Sequence, residues 1–257
     1  GSSARGVSTR VAFRTWSGAG FLRVAQKGAG VVTIEVTLDV FLKGVDLIAS
    51  TAFLTLRDKM GYGHSLLGLR RLESYAFTIE SPNPDKTVAK LRRVLSTQST
   101  FYNRNKHNHV LRCRWDGGEL DDGVDPVECR ARLETQARAT LEAAGAMAED
   151  FDSQQGTNRV ILEAVPVYRT EVLVEGLDPT AKKAMAQKLE AELETAPVVV
   201  TTLGTCWYLA LRAQSDAQAQ TVTEEITVTE KRDRGLLLNP NYEGYQFLAT
   251  ERINVAG

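Results

Sequence analysis

Three histidines are the side chains of this sequence best suited to bind a transition metal. His107 and His109 are two residues apart, so a strand would place both rings on one face, and His64 falls near the opposite end of the same predicted sheet. Neutral imidazoles are zinc and copper ligands, and three of them would form a site. The polar run Arg104-Asn105-Lys106 before His107 favours an ordinary solvated face instead. We therefore predict no metal and no cofactor.

The same stretch has the composition of an RNA-contacting surface. Arg104 and Lys106 follow Phe101 and Tyr102, and such surfaces combine cations that bind phosphate with aromatic rings that stack on bases. A solvated face explains these residues as well. Two further arginine pairs raise the same question: Arg70-Arg71 and Arg92-Arg93. Arg104 and Lys106 are therefore candidate contacts to a partner or to RNA.

The beginning of the sequence is a basic arm, which we place at residues 1–30. No acid precedes Glu35, and five cations are interleaved with serines and threonines: Arg5, Arg10, Arg14, Arg23 and Lys27. This composition is typical of organellar transit peptides and predicts an organellar, for example mitochondrial, interior, with the cytoplasm as the alternative. A cloning remnant followed by a tail explains the composition equally well. As a functional arm, these five cations are candidate contacts to a partner protein or to RNA phosphate.

Motifs for catalysis are scarce in this sequence. We find no phosphate-binding loop, nucleophile elbow, zinc-protease motif or calcium loop. The glycines near positions 18–20 and 28–30 lack the third glycine of a dinucleotide fingerprint, and they indicate turns. Cys113, Cys129 and Cys206 are odd in number and widely spaced, which predicts a reducing compartment rather than a disulfide framework. We therefore predict that the chain is not an enzyme.

The middle of the sequence is acidic, and we interpret residues 115–158 as a linker. Residues 116–152 carry eleven acids against three arginines, a net charge of −8. Glycine-rich loops at Asp116–Gly118 and Asp121–Gly123 come first, and Asp125-Pro126 then predicts the start of a helix. The helix has a narrow apolar stripe: Leu133, Ala137, Leu141 and Ala144. We expect a solvated connecting helix on the surface of one domain.

Composition excludes several classes of protein. The chain has 257 residues, 43% hydrophobic residues and a net charge of −1, as expected of a globular protein of about two domains. The small net charge argues against a uniformly basic nucleic-acid binder and against an acidic disordered chain. No apolar run reaches the ~18–20 residues that a membrane-spanning helix needs.

Two halves of the chain repeat at an offset of about 132 residues. Gly44-Val45-Asp46 recurs as Gly176-Leu177-Asp178, and the run Tyr75–Ile79 recurs as Trp207–Leu211. Two further pairs of segments keep their type and order: Asp85 and Asp216 with the helices behind them, and Asn103–Asn105 and Asn239–Asn241. Repeated order and spacing indicate two copies of one supersecondary unit.

Each half predicts the order β-α-β-α-β, with room for one more strand in the middle. Alternating apolar residues predict a strand from Val32 to Val40, and Asp46 predicts the start of the first helix. The stretch 66–80 predicts two strands joined near Arg70–Glu73, and 197–203 with 206–213 are their counterparts. This is the split β-α-β, ferredoxin-like plan. We predict an α+β fold of two tandem ferredoxin-like modules with antiparallel sheets, packed sheet to sheet or sharing one continuous sheet.

Both halves resemble PurS, the small subunit of phosphoribosylformylglycinamidine synthase. The turn Leu42–Val45, the helix start Gly176–Pro179, the turn Met60–Tyr62 and the late pair Asn239-Pro240 are similar to motifs of that family. The expected Arg-x-Gly-Lys turn is absent, and the basic arm and acidic linker are additional. The resemblance covers about two thirds of the chain. It implies PurS-like modules at 31–114 and 159–253, and a module that is non-catalytic and bridges larger subunits.

The sequence therefore predicts a non-catalytic structural subunit of a larger multi-protein complex, held through protein–protein interaction. A PurS-type bridging subunit of a purine-biosynthesis amidotransferase complex is one alternative. An RNA-contacting subunit of an organellar ribosome is another, and a small enzyme that uses the cleft between the repeats is the last.

Overall fold

Strands and helices alternate along the chain as the sequence predicts. The computed structural model describes residues 30–97, 101–124, 127–155, 166–194, 197–230 and 234–255. Within these ranges the elements are β1 (Val32–Leu42), α1 (Leu47–Asp58), β2 (Leu66–Ser81), α2 (Pro84–Thr97), β3 (His107–Trp115), β4 (Gly118–Gly123), α3 (Val127–Gln155), β5 (Val167–Gly176), α4 (Thr180–Leu193), β6 (Val198–Arg212), α5 (Asp216–Thr227) and β7 (Glu243–Ile253). The basic arm at residues 1–30 lies almost wholly outside them.

All of these strands form one antiparallel sheet, in the order β4-β3-β1-β2-β6-β5-β7. The two halves of the chain meet where β2 pairs with β6, from Leu66 opposite Leu211 to Ile79 opposite Val198. An α+β fold with a continuous antiparallel sheet is therefore confirmed. The segment Asp116–Gly123, predicted to be loops, instead forms a hairpin in which β4 pairs with β3.

The strands β2 and β6, at the centre of the sheet, have different pairing partners along different parts of their length. β1 pairs with residues 73–81 of β2, and β5 pairs with residues 204–212 of β6. Residues 66–72 of β2 pair only with β6, and residues 198–203 of β6 pair only with β2. The prediction of two separate strands in each stretch is wrong, because no turn interrupts the backbone. What changes near the predicted breaks is the pairing partner.

The helices α1 and α4 each pack in a core that contains strands of both halves. From α1, Ala52 and Phe53 pack in a core with Val172 of β5 and Leu209 of β6. From α4, Leu189 and Leu193 pack with β1, together with α2. Leu69 of β2 belongs to the first of these cores, and Phe77 of β2 belongs to the second. The two residues are an even number of positions apart on one strand, so both cores lie on the same face of the sheet. Each core therefore draws its helices from both halves of the chain.

The helix α3 lies across the other face of the sheet, over the junction of the halves. Leu133 and Ala137 are fully buried, and they pack on Leu67 of β2 and Ala210 of β6. A methyl group added to Gly68 would lie 3.1 Å from Leu133, so this glycine permits the close approach of the helix. The prediction of a solvated connector is therefore wrong, because α3 is a third layer of the fold. Asp125 and Pro126 lie outside the described residues.

Candidate interaction surface

Two of the predicted contact residues lie together at one corner of the sheet. Arg104 and Lys106 are exposed in the turn before β3, and the structure adds Lys43, which follows β1. The Lys43 backbone N–H donates to the Lys106 carbonyl at 2.9 Å, and Lys43 Nζ donates to the Arg104 carbonyl at 2.6 Å. We call these three cations the basic corner. Lys43 was not among the residues predicted from the sequence, because its position beside Lys106 depends on the pairing of β1 with β3.

The neighbouring histidines have structural partners. His107 Nδ1 accepts the backbone N–H of Asn103 at 2.9 Å, and the His109 ring stacks on Tyr102 with a centroid distance of 4.5 Å. Burial lowers the pKa of His109, and Arg104 lowers it further against the opposing effect of Asp122. In the described part of the chain no three His, Cys, Asp or Glu side chains are grouped to hold a metal.

The other predicted cations divide into two groups. Arg71 pairs with Asp46 at 2.9 Å, and Arg92 pairs with Asp122 at 2.6 Å, so these two charges are already matched within the fold. The arm residues lie outside the described ranges: Arg5, Arg10, Arg14, Arg23 and Lys27. Arg104 and Lys106 are therefore the predicted contacts that the structure brings together.

Beside the basic corner, α1 exposes apolar side chains to solvent. Val45 is 71% exposed, and Leu47, Ile48 and Leu54 of α1 are 74%, 57% and 54% exposed. The inner side of the same helix is buried in the core through Phe53 and its neighbours. A helix that is apolar on both sides is typical of one that is buried on both sides. We call Val45, Leu47, Ile48 and Leu54 the outer apolar face of α1.

The turn before α1 has a counterpart in the second half. Leu177 stands where Val45 stands in the repeat, and it is 62% exposed. The Leu177 backbone N–H donates to the carbonyl of Tyr242 at 2.8 Å, and Tyr242 itself is 71% exposed. The helix that follows, α4, does not repeat the apolar outer face, because its exposed positions include Lys183 and Lys188. The outer apolar face is therefore specific to the first half.

The outer apolar face of α1 and the basic corner together have the chemical groups of a binding surface. Exposed leucine, isoleucine and valine side chains gain free energy when a partner removes them from water. The unpaired ammonium and guanidinium groups at one end attract anions, and they would fix the orientation of that partner. In the ranges that the structure describes, Arg104 and Lys106 have no carboxylate within ion-pair distance.

Comparisons with protein-family models, curated proteins and solved structures found no match to this chain. The resemblance to PurS-like modules therefore stays a prediction from the motifs of the sequence. Among the described residues, no helix has the length and apolar composition needed to cross a membrane.

Proposed function

We propose that the chain is built from two ferredoxin-like units that exchange elements. A ferredoxin-like sheet has the strand order 4-1-3-2. The order β3-β1-β2 is extended by the first part of β6, and β7-β5-β6 is extended by the first part of β2. In each unit the second strand and the first helix would come from the other half. The presence of α1 in one core with β5 and β6, and of α4 in the other core with β1, supports this arrangement.

Hydrogen exchange tests the exchanged arrangement. Phe53→Ala removes an α1 side chain from the core beneath β5 and β6, so amides of β5 should lose protection while those of β1 keep theirs. Leu189→Ala in α4 should have the reverse effect. Loss of protection confined to β1 and β2 in Phe53→Ala would contradict the exchange.

As function, we propose a non-catalytic structural subunit of a multi-protein assembly. The observation that carries the proposal is the outer apolar face of α1, where four large apolar side chains are each more than half exposed. Isolated exposed apolar residues are ordinary on proteins, but a cluster on one helix marks an interaction site. Because the basic corner adjoins Val45, the partner proposed here is a protein segment with apolar side chains and acidic residues at one end.

Substitutions on α1 test this function. The doubly substituted chain Leu47→Glu/Leu54→Glu should fold normally, because both side chains point to solvent, yet it should lose its partner. Quantitative mass spectrometry of proteins that co-purify with the tagged full chain measures the loss. Lys43→Glu should weaken the same interaction, because it reverses a charge of the basic corner.

Val199→Glu is the matched control, since Val199 is 54% exposed but lies on β6 away from α1. The proposal requires a set of proteins that Val199→Glu retains and Leu47→Glu/Leu54→Glu loses. If both variants keep the same co-purifying proteins, α1 is not the docking surface and the proposal fails.

A second candidate function is RNA contact through the basic corner. The observation that favours it is the meeting of Lys43, Arg104 and Lys106 without intervening carboxylates in the described ranges. Fluorescence anisotropy with a labelled single-stranded RNA tests it. Lys43→Glu/Arg104→Glu/Lys106→Glu should weaken binding roughly tenfold or more and reduce its salt dependence. An unchanged affinity in that variant would exclude the corner as an RNA site.

A further inference from the structure

The two edges of the sheet differ in how well they are protected from pairing. The edge strand β4 is short, it has a glycine at each end, and it carries three acids: Glu119, Asp121 and Asp122. Short, charged edge strands resist pairing with another chain. The opposite edge strand, β7, is 11 residues long and exposes the apolar side chain of Leu248. In the described part of the chain β7 pairs only with β5. Among the described residues, nothing pairs with its outer side, which is therefore an available pairing edge.

A bulge in the middle of β7 determines which of its side chains share a face. Val172 of β5 lies opposite Phe247, whereas the next residue, Glu171, lies opposite Ala249, so Leu248 is the extra residue. Side chains alternate normally on either side of the bulge. As a result, Glu243 near one end of β7 and Arg252 near the other end face the same side of the sheet.

We infer that β7 pairs antiparallel with β7 of a second copy of this chain. A two-fold axis between Phe247 and Leu248 places Glu243 of each copy opposite Arg252 of the other. The same register aligns Tyr245 with Thr250 on that face, and it aligns Gln246 with Ala249 on the opposite face. Because the bulge lies on the axis, every one of these pairs joins side chains that point to the same side. The interface is isologous, and the seven-stranded sheet continues into that of the second copy.

The charges of β7 are complementary in this register. Arg252 is exposed, and within the described ranges no carboxylate lies within ion-pair distance of it. Glu243 uses its carboxylate to accept the backbone N–H of Asn239 at 2.8 Å, which leaves oxygen lone pairs for a cation. Opposite charges directly across an antiparallel pair stabilise it, and like charges destabilise it. Two Glu243–Arg252 pairs therefore form across the axis.

The other edge strand of the sheet, β4, is a less favourable partner for β7 of a second copy. Pairing β4 of one copy with β7 of the next would bring the β4 acids beside Glu243 and Glu251. That contact is also head-to-tail, so it would produce rings or open filaments rather than a two-fold dimer. Self-pairing of β7 avoids both the like-charge contacts and the open assembly.

Sedimentation equilibrium of the full chain over a wide range of protein concentrations tests the inference. The wild-type chain should show a monomer–dimer equilibrium. Arg252→Glu should weaken the dimer roughly tenfold, because it sets Glu beside Glu243 at two places. Glu243→Arg should do the same, and the double variant Glu243→Arg/Arg252→Glu should restore dimerisation. Arg114→Glu, at an exposed arginine of β3 far from β7, is the matched control and should leave the dimer unchanged.

Glu243 also anchors the turn at Asn239, so its substitution can disturb folding. Leu248→Lys avoids that turn, and it should also weaken the dimer by placing two ammonium groups at the axis. A chain that is monomeric at every concentration would overturn the inference. So would a double variant that dimerises no better than Arg252→Glu, or an Arg114→Glu variant that dissociates as much.

Discussion

Arg71, in the middle of β2, donates from Nε to Oδ2 of Asp46 at 2.9 Å, and Asp46 is the residue that begins α1. The other carboxylate oxygen, Oδ1, accepts the backbone N–H groups of Ile48 and Ala49 at 3.0 and 3.1 Å. One buried carboxylate thus caps the helix and fixes the helix to the sheet. Because Val45 and Leu47 flank Asp46, this contact also sets the position of the outer apolar face of α1.

Asp46→Ala should therefore destabilise the chain by about 2 kcal/mol, roughly half from the lost helix cap and half from the lost hydrogen bond of Arg71, whose guanidinium keeps only the Glu73 carboxylate at 3.6 Å. Asp46→Asn keeps a side-chain oxygen for the cap and should cost less. Urea unfolding followed by circular dichroism measures both values. Equal losses in the two variants would show that the ion pair, and not the cap, carries the effect.

A second ionic contact holds α3 against the sheet. Arg169 and Glu171 of β5 are both buried, and their Nε and Oε1 atoms are 3.3 Å apart without the alignment of a hydrogen bond. Arg130 of α3 lies 3.5 Å from Glu171, and Glu134 of α3 lies 3.6 Å from Arg169. Burial raises the pKa of Glu171, although the two arginines act in the opposite direction.

Replacing Arg169 alone should lower the free energy of unfolding more than replacing both Arg169 and Glu171. Arg169→Met removes the cation shared by Glu134, Glu171 and Glu251. The buried Glu171 carboxylate then keeps only Arg130 at 3.5 Å, and the variant should cost about 3–5 kcal/mol. Arg169→Met/Glu171→Leu replaces both buried charges by apolar groups. Glu134 and Glu251 are partly exposed and can turn to water, so this variant should return to within ~1 kcal/mol of the wild type. Denaturant unfolding of the two variants provides the comparison. A double variant as unstable as Arg169→Met would mean that the pair contributes net stability.

Local signals in the sequence predicted the elements of this fold well. The alternation after Val32, the cap at Asp46 and the helix start near Asp216 each depend on neighbouring residues, and each element is present. The apolar stripe of α3 was also visible in Leu133 and Ala137. What the stripe covers was not visible, because a narrow stripe fits a surface helix as well as one that lies across a sheet.

The contacts between residues far apart in the chain could not be predicted from local signals in the sequence. The pairing of β2 with β6 and the packing of Phe53 against the second half join residues more than a hundred positions apart. A repeat predicts two similar units, but it does not predict which copy of a helix covers which sheet. For the same reason Lys43 could not be predicted as part of the candidate site, because its position beside Lys106 depends on the register of β1 and β3.

The raised pKa of Asp39 leads to a prediction about how the free energy of unfolding depends on pH. Burial raises the pKa of this β1 carboxyl, even though Ser74 donates to it at 2.8 Å and Arg112 is nearby. The folded state therefore binds the proton more tightly than the unfolded state does. As the pH rises from the unfolded pKa through the raised folded pKa, Asp39 lowers the free energy of unfolding, and this loss persists at neutral pH.

Asp39→Asn should consequently stabilise the chain at neutral pH while keeping an oxygen for the Ser74 hydroxyl. Below the unfolded pKa of the aspartate, wild type and variant should converge. Urea unfolding at a series of pH values measures the difference in slope. A variant that is less stable than the wild type at neutral pH would mean that Arg112 outweighs the cost of burial.

The buried thiol of Cys113 gives a prediction about reactivity. Cys113 lies in the core beneath α2, where burial, with Asp121 and Asp122, raises its pKa to about 12. The thiolate is the reactive form, so the native thiol should be inert to disulfide reagents near neutral pH. In a Cys129→Ser/Cys206→Ser background only Cys113 can react, and its labelling rate should follow the unfolded fraction as urea is added. The rate in full denaturant is the control. Rapid labelling of that variant without denaturant would show that the core around β1 and β3 opens in the native state.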